Sequence, residues 1–405
     1  MKILIYMSSG FDINGPSNHL FQALIEDLLQ ANHDVVLIEK NSKGPNDDVP
    51  SSIKKHKKFK YFTVSGKTVK KNRFITRYIS SIIYAYKSIK YLKINKDVDL
   101  VFIQSCPTAP FQVKFAKKYV GKPVVYNIQD MFPGSSIASG VMKNSIMKIF
   151  FYWFQKKAYR RADHITVISD DMKSKLMLQD VEKDKITTIV NWFDDNSVSE
   201  IPWDDNIFVK KFNLDKNKFY VQYAGTMGYV FDYKAIIHAA KILKHIIDIE
   251  FVMIGNGSQK ECFINQANEN ELTNIKFIPY QNQSEISHVY SACNLCVIPL
   301  KKGVIGNSVP SKAGIVMACN RTIINSVDED SSYYSMFNLN DIGVSVPNDD
   351  YDRLVRSIMD LYNDRPRLNQ LNKRAYKYAL ENFTRSNNTM KYIHLFKNII
   401  ERREI

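Results

Sequence analysis

The 405-residue sequence predicts an α/β chain built from two doubly wound halves, and three observations lead there. Short apolar runs (KILIY, DVVLIEK, DLVFIQS and, further on, FYVQYAGT, IEFVMIG, NLCVIPL) alternate with segments whose leucines and isoleucines recur at helical spacing. That is the pattern of βα units on a parallel sheet. The alternation stops in a polar stretch at 196–218, which reads as a linker, and then starts again. Finally, the length suits two domains of roughly 200 residues each. A hydrophobic content of 45% with 12% aromatics supports two packed cores and excludes global disorder.

Taken in order, KILIY, a loop containing Gly15-Pro16, a helix carrying Leu20, Ala23, Leu24 and Leu28, and DVVLIEK form an opening βαβ unit. The glycine loop lacks the G-x-G-x-x-G spacing of a dinucleotide site. A helix is expected over about 73–92. DLVFIQS and PVVYNIQD are core strands joined by a helix around 111–119. Asp97 and Asp99 have D-x-D spacing but precede their strand, which puts them at the wrong end of the sheet for a metal–diphosphate site. Asp130 ends its strand at the edge where doubly wound sheets hold ligands. The aromatic-rich window from Met142 is expected to pack in the core, dip into an interface, or both. HITV and KITT close the first half. The second half runs through FYVQYAGTMG, a helix over 233–247, IEFVMIGNGS, IKFIPY, a helix over 285–292, NLCVIPL, TIINS and IGVSVP, then helices from 350 to 378 and a last helix near 385–402.

The net charge of +15 is unevenly spread. Residues 54–96 hold fourteen Lys/Arg and no acid, and residues 131–162 hold six more, again without an acid. Such asymmetry predicts a basic face for an anionic membrane, with Lys54, Lys55, Lys57, Lys58, Lys70, Lys71, Arg73, Arg77 and Trp153 as the docking residues. No apolar run reaches the roughly 18–20 residues that span a bilayer. The start of the sequence reads as a core strand without signal-peptide architecture. The five cysteines are read as reduced core residues. The expected location is therefore the cytoplasm, peripherally attached to the inner face of the plasma membrane.

The stretch 305–326, IGNSVPSKAGIVMACNRTIINS, follows a buried strand. A helix is expected to open at Pro310, with Ser308 as its N-cap. Ser311 and Lys312 then fall in the first turn, where a helix favours an anion, and this makes a seat for a diphosphate.

Beyond these local readings, ordered blocks run nearly end to end: NGPSNHLFQALIEDLLQANHDVVLI, VVYNIQDMFPGS, HITVISDDMKSKL, TTIVNWFDD, VQYAGTMG, FVMIGNGSQKE, FIPYQNQSEISHVYSACNLCVIPL and VPSKAGIVMACNRTIINSVDEDS. In order and spacing the chain resembles glycosyltransferase family four, retaining enzymes of the GT-B fold whose two Rossmann-like domains face each other across a cleft. NIQDMFP with VPSK…MAC is most similar to enzymes of capsule, O-antigen or exopolysaccharide assembly. The resemblance implies an acceptor domain over 1–195, a nucleotide-sugar domain over 196–384, and a terminal helix over 385–405 that returns to the first domain. It implies that Gly15, Gly225, Thr226, Gly228, Gly255, Asn307, Ser308, Pro310, Ser311 and Ile315 border the donor, a nucleotide sugar most often linked to UDP. Lys312 and Asp130 carry the catalytic roles: Lys312 holds the leaving diphosphate, and Asp130 orients acceptor or donor. No metal or other cofactor is expected, and no nucleic acid. The partners implied are a polyprenyl-diphosphate-linked saccharide acceptor and the anionic inner-membrane surface.

The resemblance has departures. The family's E-x₇-E pair falls here on Asn307 and Ile315, and the second of those glutamates grips the nucleotide ribose. Tyr229 and Phe231 stand where relatives place Arg or Lys, and Asn320 replaces a usual glycine. Two other readings follow: a sugar-nucleotide epimerase of the same shape, drawing on His19 and Asp130, and a non-catalytic transferase serving as an assembly partner.

Overall fold

The computed structural model describes residues 1–8, 10–11, 17–41, 49–66, 74–140 and 142–403. The chain divides into two compact units. The first comprises Met1–Ile137, Met142–Asn191 and Asn388–Ile405, and the second Ala138–Val141 and Trp192–Asn387.

In the first unit β1 (Lys2–Tyr6), β2 (Asp34–Asn41), β3 (Phe59–Ser65), β4 (Leu100–Gln104), β5 (Val124–Ile128), β6 (His164–Val167) and β7 (Ile186–Thr188) form one parallel sheet. Its order is β3-β2-β1-β4-β5-β6-β7. In the second, β8 (Phe219–Thr226), β9 (Ile249–Asn256), β10 (Ile275–Ile278), β11 (Leu295–Pro299), β12 (Thr322–Val327) and β13 (Val344–Pro347) pair in parallel as β10-β9-β8-β11-β12-β13. Both orders reverse direction after their first strand, at β1/β4 and at β8/β11. Those are the points where a doubly wound sheet opens a crevice at its carboxyl edge. The strands are continuous Val/Ile/Leu runs because helices cover both faces. In the second unit one face of the sheet buries Tyr220, Ala224 and Ile298, and the other buries Phe219, Val221 and Tyr223.

The structure differs from the sequence reading in four places. Strand β3 lies inside the lysine-rich window, where no strand is expected. It is an edge strand, and edge strands tolerate charged residues such as Lys60 on their open side. The expected helix over 73–92 is two helices, Phe74–Lys87 and Ile89–Ile94. They break at buried Ser88, whose hydroxyl donates to the Tyr84 carbonyl and accepts from the Tyr6 hydroxyl at 2.7 Å. The stretch 196–218 is no linker. It folds as a 3₁₀ turn and the helix Ile207–Lys211, with Phe208, Val209 and Leu214 buried in the second unit's core. Phe208, Val209 and Leu214 point inward while Ile207 is exposed, and Asn206 caps the helix by accepting from the Phe208 N–H at 2.9 Å. Of the five cysteines, Cys262 is exposed on a helix surface, whereas the other four are buried; all are free thiols.

The helix Arg385–Glu401 contributes its residues from Asn388 onward to the first unit. There Tyr392 and Phe396 pack against Phe102 of β4, with ring centroids 5.4 Å and 5.2 Å apart, and the Asn127 amide of β5 donates to the Tyr392 hydroxyl at 2.8 Å. Phe396 is fully buried. Phe396→Ala should destabilise the first unit by about 3–5 kcal/mol, the range for emptying a well-packed aromatic site, as read from the urea unfolding of that unit.

Candidate functional site

At the second unit's switch point the loops after β8 and β11 are stitched together. Asp232 donates its N–H to the Pro299 carbonyl at 3.0 Å, and Lys301 donates to the Val230 carbonyl at 3.0 Å. Within β8, Gly225 lies in register with Gly255 of β9. Its φ is +149°, a region that side-chain-bearing residues avoid. A Cβ at 255 would overlap the Gly225 carbonyl, so the backbones approach this closely because residue 255 is glycine. Two tyrosines hold the turn from opposite faces of the sheet: the Tyr290 hydroxyl donates to the Ala224 carbonyl at 3.0 Å, and the Tyr223 hydroxyl to the Thr226 carbonyl at 2.8 Å. Thr226 is exposed at the strand end, and Gly228 lies in the loop just beyond it.

Lys312 reaches into this turn. The residue as a whole is half-buried, but its ammonium is enclosed: it sits 3.9 Å from the centre of the Tyr223 ring and occupies the space a Gly225 side chain would need. Burial pushes its pKa down from 10.5 to about 7, opposed only by the nearby Cys296 thiol. Among the described residues Lys312 makes no ion pair and no hydrogen bond to an acid. A buried cation with no anion is costly, and the arrangement supplies one half of a charge pair.

The loop between β11 and the next helix differs from its sequence reading. The helix is Ala313–Ala318, three residues later than expected, with Lys312 at its N-cap position. Ser308 caps nothing; its N–H donates to the Val304 carbonyl at 3.2 Å, closing a turn that Pro310 follows. Residues 311 and 312 form a turn instead, spanned by the Ala313 N–H to the Pro310 carbonyl at 3.5 Å, and the helix follows it. The Lys312 amine therefore stands at the Gly225 turn, not in the first turn of a helix. Asn307 spends its amide on the Gly303 carbonyl at 2.9 Å, a loop-closing role. The hydroxyls of Ser308 and Ser311 have no partner among the described residues, and Ser311 is exposed. Ile315 packs against the core. Asn320 has φ of +56°, so it supplies the left-handed backbone for which glycine is usual. Asp328, at the end of β12, accepts from the Gly303 N–H at 2.7 Å, the Ile305 N–H at 3.1 Å and the Asn348 amide at 3.2 Å, and so fixes the start of the loop.

Two residues at this edge escape the sequence reading. Lys260, in the first turn of its helix, donates to the Gly255 carbonyl at 3.0 Å and adds a second cation beside the glycine turn. Tyr223 looks in sequence like an ordinary core aromatic; only its position two residues before Gly225 marks it.

In the first unit Asp130 follows β5 at the carboxyl edge. Its side chain is open to solvent, yet dense surrounding protein pushes the carboxyl up to about 6, and it has no hydrogen-bond or ion-pair partner among the described residues. The described ends of the β1 loop are anchored. The Phe11 N–H donates to Glu39 at 2.9 Å, the Ser8 N–H donates to Gln104 at 3.2 Å, and the Asn18 amide donates to the Gly10 carbonyl at 3.0 Å. Gly15, within that loop, lies outside the described residues, as do Lys70, Lys71 and Arg73. Asp97 and Asp99 are spent on Lys2, its amine and its N–H respectively.

The basic residues do not share one face. Lys54, Lys55 and Lys57 are exposed just before β3, at the amino-terminal edge of the sheet, and Lys58 donates to the Asn32 carbonyl at 2.9 Å. Trp153 belongs to a different surface. Along the helix Ser145–Arg161, Ile146 (79% exposed), Ile149 (71%), Phe150 (49%) and Trp153 (55%) face solvent, and Lys157 lies 3.4 Å over the Trp153 ring. The helix Phe74–Lys87 packs beside it through Tyr78 against Phe151, with exposed Arg77, Ile79 and Ile83. Among the described residues no helix is long and apolar enough to cross a membrane.

Comparison with known proteins gives a consistent result. The family model described as "Glycosyltransferase Family 4" matches residues 13–197, and "Glycosyl transferases group 1" matches residues 204–378. The chain is 24% identical over 296 residues, 72% of this chain and 73% of the other, to the probable glycosyltransferase WbjE of Pseudomonas aeruginosa. It is 21% identical over 210 residues, 51% of each chain, to the putative colanic acid biosynthesis glycosyl transferase WcaI of Escherichia coli K12. Its fold matches that of Anabaena HepE in complex with UDP-glucose at a TM-score of 0.75, with 13% identity over 98% of this chain and 100% of that one.

The Lys312 seat makes a pH-dependent prediction. With a pKa near 7, well below the ordinary lysine value, the amine is mostly neutral at pH 8 and mostly charged at pH 6. An anion entering the seat favours the charged form. Pyrophosphate binding should therefore take up about one proton at pH 8 and almost none at pH 6, measured by isothermal titration in buffers of different ionisation enthalpy. Lys312→Met should abolish the uptake.

Proposed function

The chain belongs to the family 4 glycosyltransferases of GT-B type, and from that premise we propose that it moves a sugar, with retention, from a nucleotide sugar to a polyprenyl-diphosphate-linked acceptor in bacterial surface polysaccharide synthesis. The observation that carries this reading is the unpaired Lys312 ammonium enclosed beside the Gly225 turn. A donor diphosphate completes that charge pair, and the charge that grows on it as the glycosidic bond breaks is stabilised by a cation already in place. Thr226, Gly228, Ser308 and Ser311 offer backbone or hydroxyl donors around it, and Lys260 a second cation. With two amines available, the reading needs no metal.

Uridine is the proposed base, on the strength of the UDP-glucose complex of HepE. Ile315 leaves no carboxylate for the ribose at its position, so this chain holds the ribose by other contacts. In the retaining reaction the departing phosphate oxygen accepts the acceptor's proton on the face where the new bond forms. Asp130 then orients the acceptor's hydroxyl rather than acting as a base, and the first unit is the acceptor domain. Its carboxyl, titrating near 6, is mostly ionised at pH 7 and suits accepting a hydrogen bond from that hydroxyl.

Transfer should be assayed with membranes, a lipid-linked acceptor and a panel of nucleotide sugars. Label entering the lipid fraction supports this function, while isomerisation of the free donor, or no turnover with any donor, overturns it. Lys312→Ala should lower the transfer rate about 10²–10³-fold, the loss expected for one preorganised charge-stabilising group.

The lipid-linked acceptor requires access to a membrane surface. We assign this docking to the apolar–basic face of the helices Phe74–Lys87 and Ser145–Arg161, where Ile149, Phe150 and Trp153 are exposed beside Lys148, Lys156 and Lys157. Phe150→Ser with Trp153→Ser should lower sedimentation with anionic vesicles about tenfold or more, since each ring withdraws about 1.5–3 kcal/mol of apolar burial when fully inserted. Lys54→Glu with Lys57→Glu, at the other edge of the sheet, should change it less; the reverse ranking would move the docking surface there.

A further inference from the structure

Tyr229 and Phe231 follow the glycine turn of the second domain, where the family resemblance implies Arg or Lys. Phe231 is fully buried, and its ring centre lies 4.4 Å from that of Tyr223. The Tyr223 ring in turn carries the Lys312 ammonium 3.9 Å from its centre. The three side chains form one stack, Phe231 on Tyr223 on Lys312, ending at the α-carbon of Gly225. We propose that Tyr223, backed by Phe231, is a positioning residue that holds the Lys312 ammonium at the Gly225–Thr226 turn. The part it plays in transfer rests on the transferase reading above.

Three features support the assignment. The face of an aromatic ring attracts a cation, most strongly where water is excluded, and here the ammonium is enclosed. The same tyrosine fixes the turn that receives the anion, because its hydroxyl donates to the Thr226 carbonyl at 2.8 Å. Burial raises the phenol's pKa, so it stays a neutral donor through the working pH range. Lysine and loop are thereby held by one side chain, and neither can shift without the other. Among the described residues nothing else competes for the ammonium: the titratable groups around it are Tyr223 from β8 and the Cys296 thiol from β11, with Tyr290 beyond Tyr223, and no carboxylate acts on it.

The ring and the hydroxyl make separable contributions. Tyr223→Phe keeps the ring and removes the bond to Thr226. Tyr223→Leu keeps bulk but removes the ring. A pentafluorinated phenylalanine at position 223 keeps the shape while reversing the charge distribution of the ring face, which covers the case in which the leucine variant does not fold. In each full-length protein, without donor, the titration of Lys312 is followed by pH-dependent carbamylation with cyanate and mass spectrometry of the peptide that contains it. The Lys312 pKa should be nearly unchanged in Tyr223→Phe and about one unit lower in Tyr223→Leu or the fluorinated variant, the size of a desolvated cation–π contact.

A pKa unmoved in both ring variants overturns the proposal, because a merely structural tyrosine would not set the titration of the amine. With a transfer assay in hand, a one-unit drop predicts about tenfold lower kcat/KM for the donor at pH 8 in Tyr223→Leu, with Tyr223→Phe restoring the pH profile. Because the titration uses no donor, failure of the transferase reading would leave that result standing, and failure of the stacking idea would leave transfer by the wild-type chain intact.

Discussion

A cation held indoors without an anion dominates the chemistry of the second unit. Water solvates an ammonium far better than a protein interior does, so the position of Lys312 persists only because other features tolerate it: the Tyr223 ring face and the room left by Gly225. The cost is visible in its depressed pKa. Such a site is poised, since the arriving anion restores the charged form and releases what burial withheld. Of the two glycines facing each other across β8 and β9, Gly255 lets the Gly225 backbone approach and Gly225 leaves the room that the ammonium fills.

Most of the fold was legible because parallel strands buried on both faces advertise themselves as unbroken apolar runs. Twelve of the thirteen strands coincide with such runs, and the exception shows the limit of the signal. The strand β3 sets exposed Lys60 between Phe59 and Tyr61, because only part of an edge strand is covered, so the charge of its window masked its conformation. The stretch 196–218 fails for the opposite reason. Polar by composition, it buries a few residues well, and averages over a window dilute Phe208 and Leu214.

At the site, Lys312 and the glycine turn could be read from residue type and order. Their relation could not, since Tyr223 and Gly225 on one strand meet Lys312 some ninety positions later only through the strand order β8-β11. The helix starts later than Pro310 suggests because a proline that suits a first helical position equally suits a turn, and here 310–313 is a turn. The basic windows were counted as one face because charge in sequence says nothing about which edge of a sheet it decorates. Lys57 and Trp153 belong to different surfaces of the same unit.

The terminal helix bears on how this protein is made. The chain leaves the first unit at Asn191 and supplies that unit's last structural piece only after Asn388. A ribosome adding roughly 5–20 residues per second needs about ten to forty seconds to bridge that interval. During that time Phe102 and the Asn127 amide lack Phe396 and Tyr392 as neighbours. The nascent first unit therefore leaves Phe102 and the Asn127 amide uncovered while the second unit is being synthesised, and it is completed only once the residues from Asn388 onward have been added.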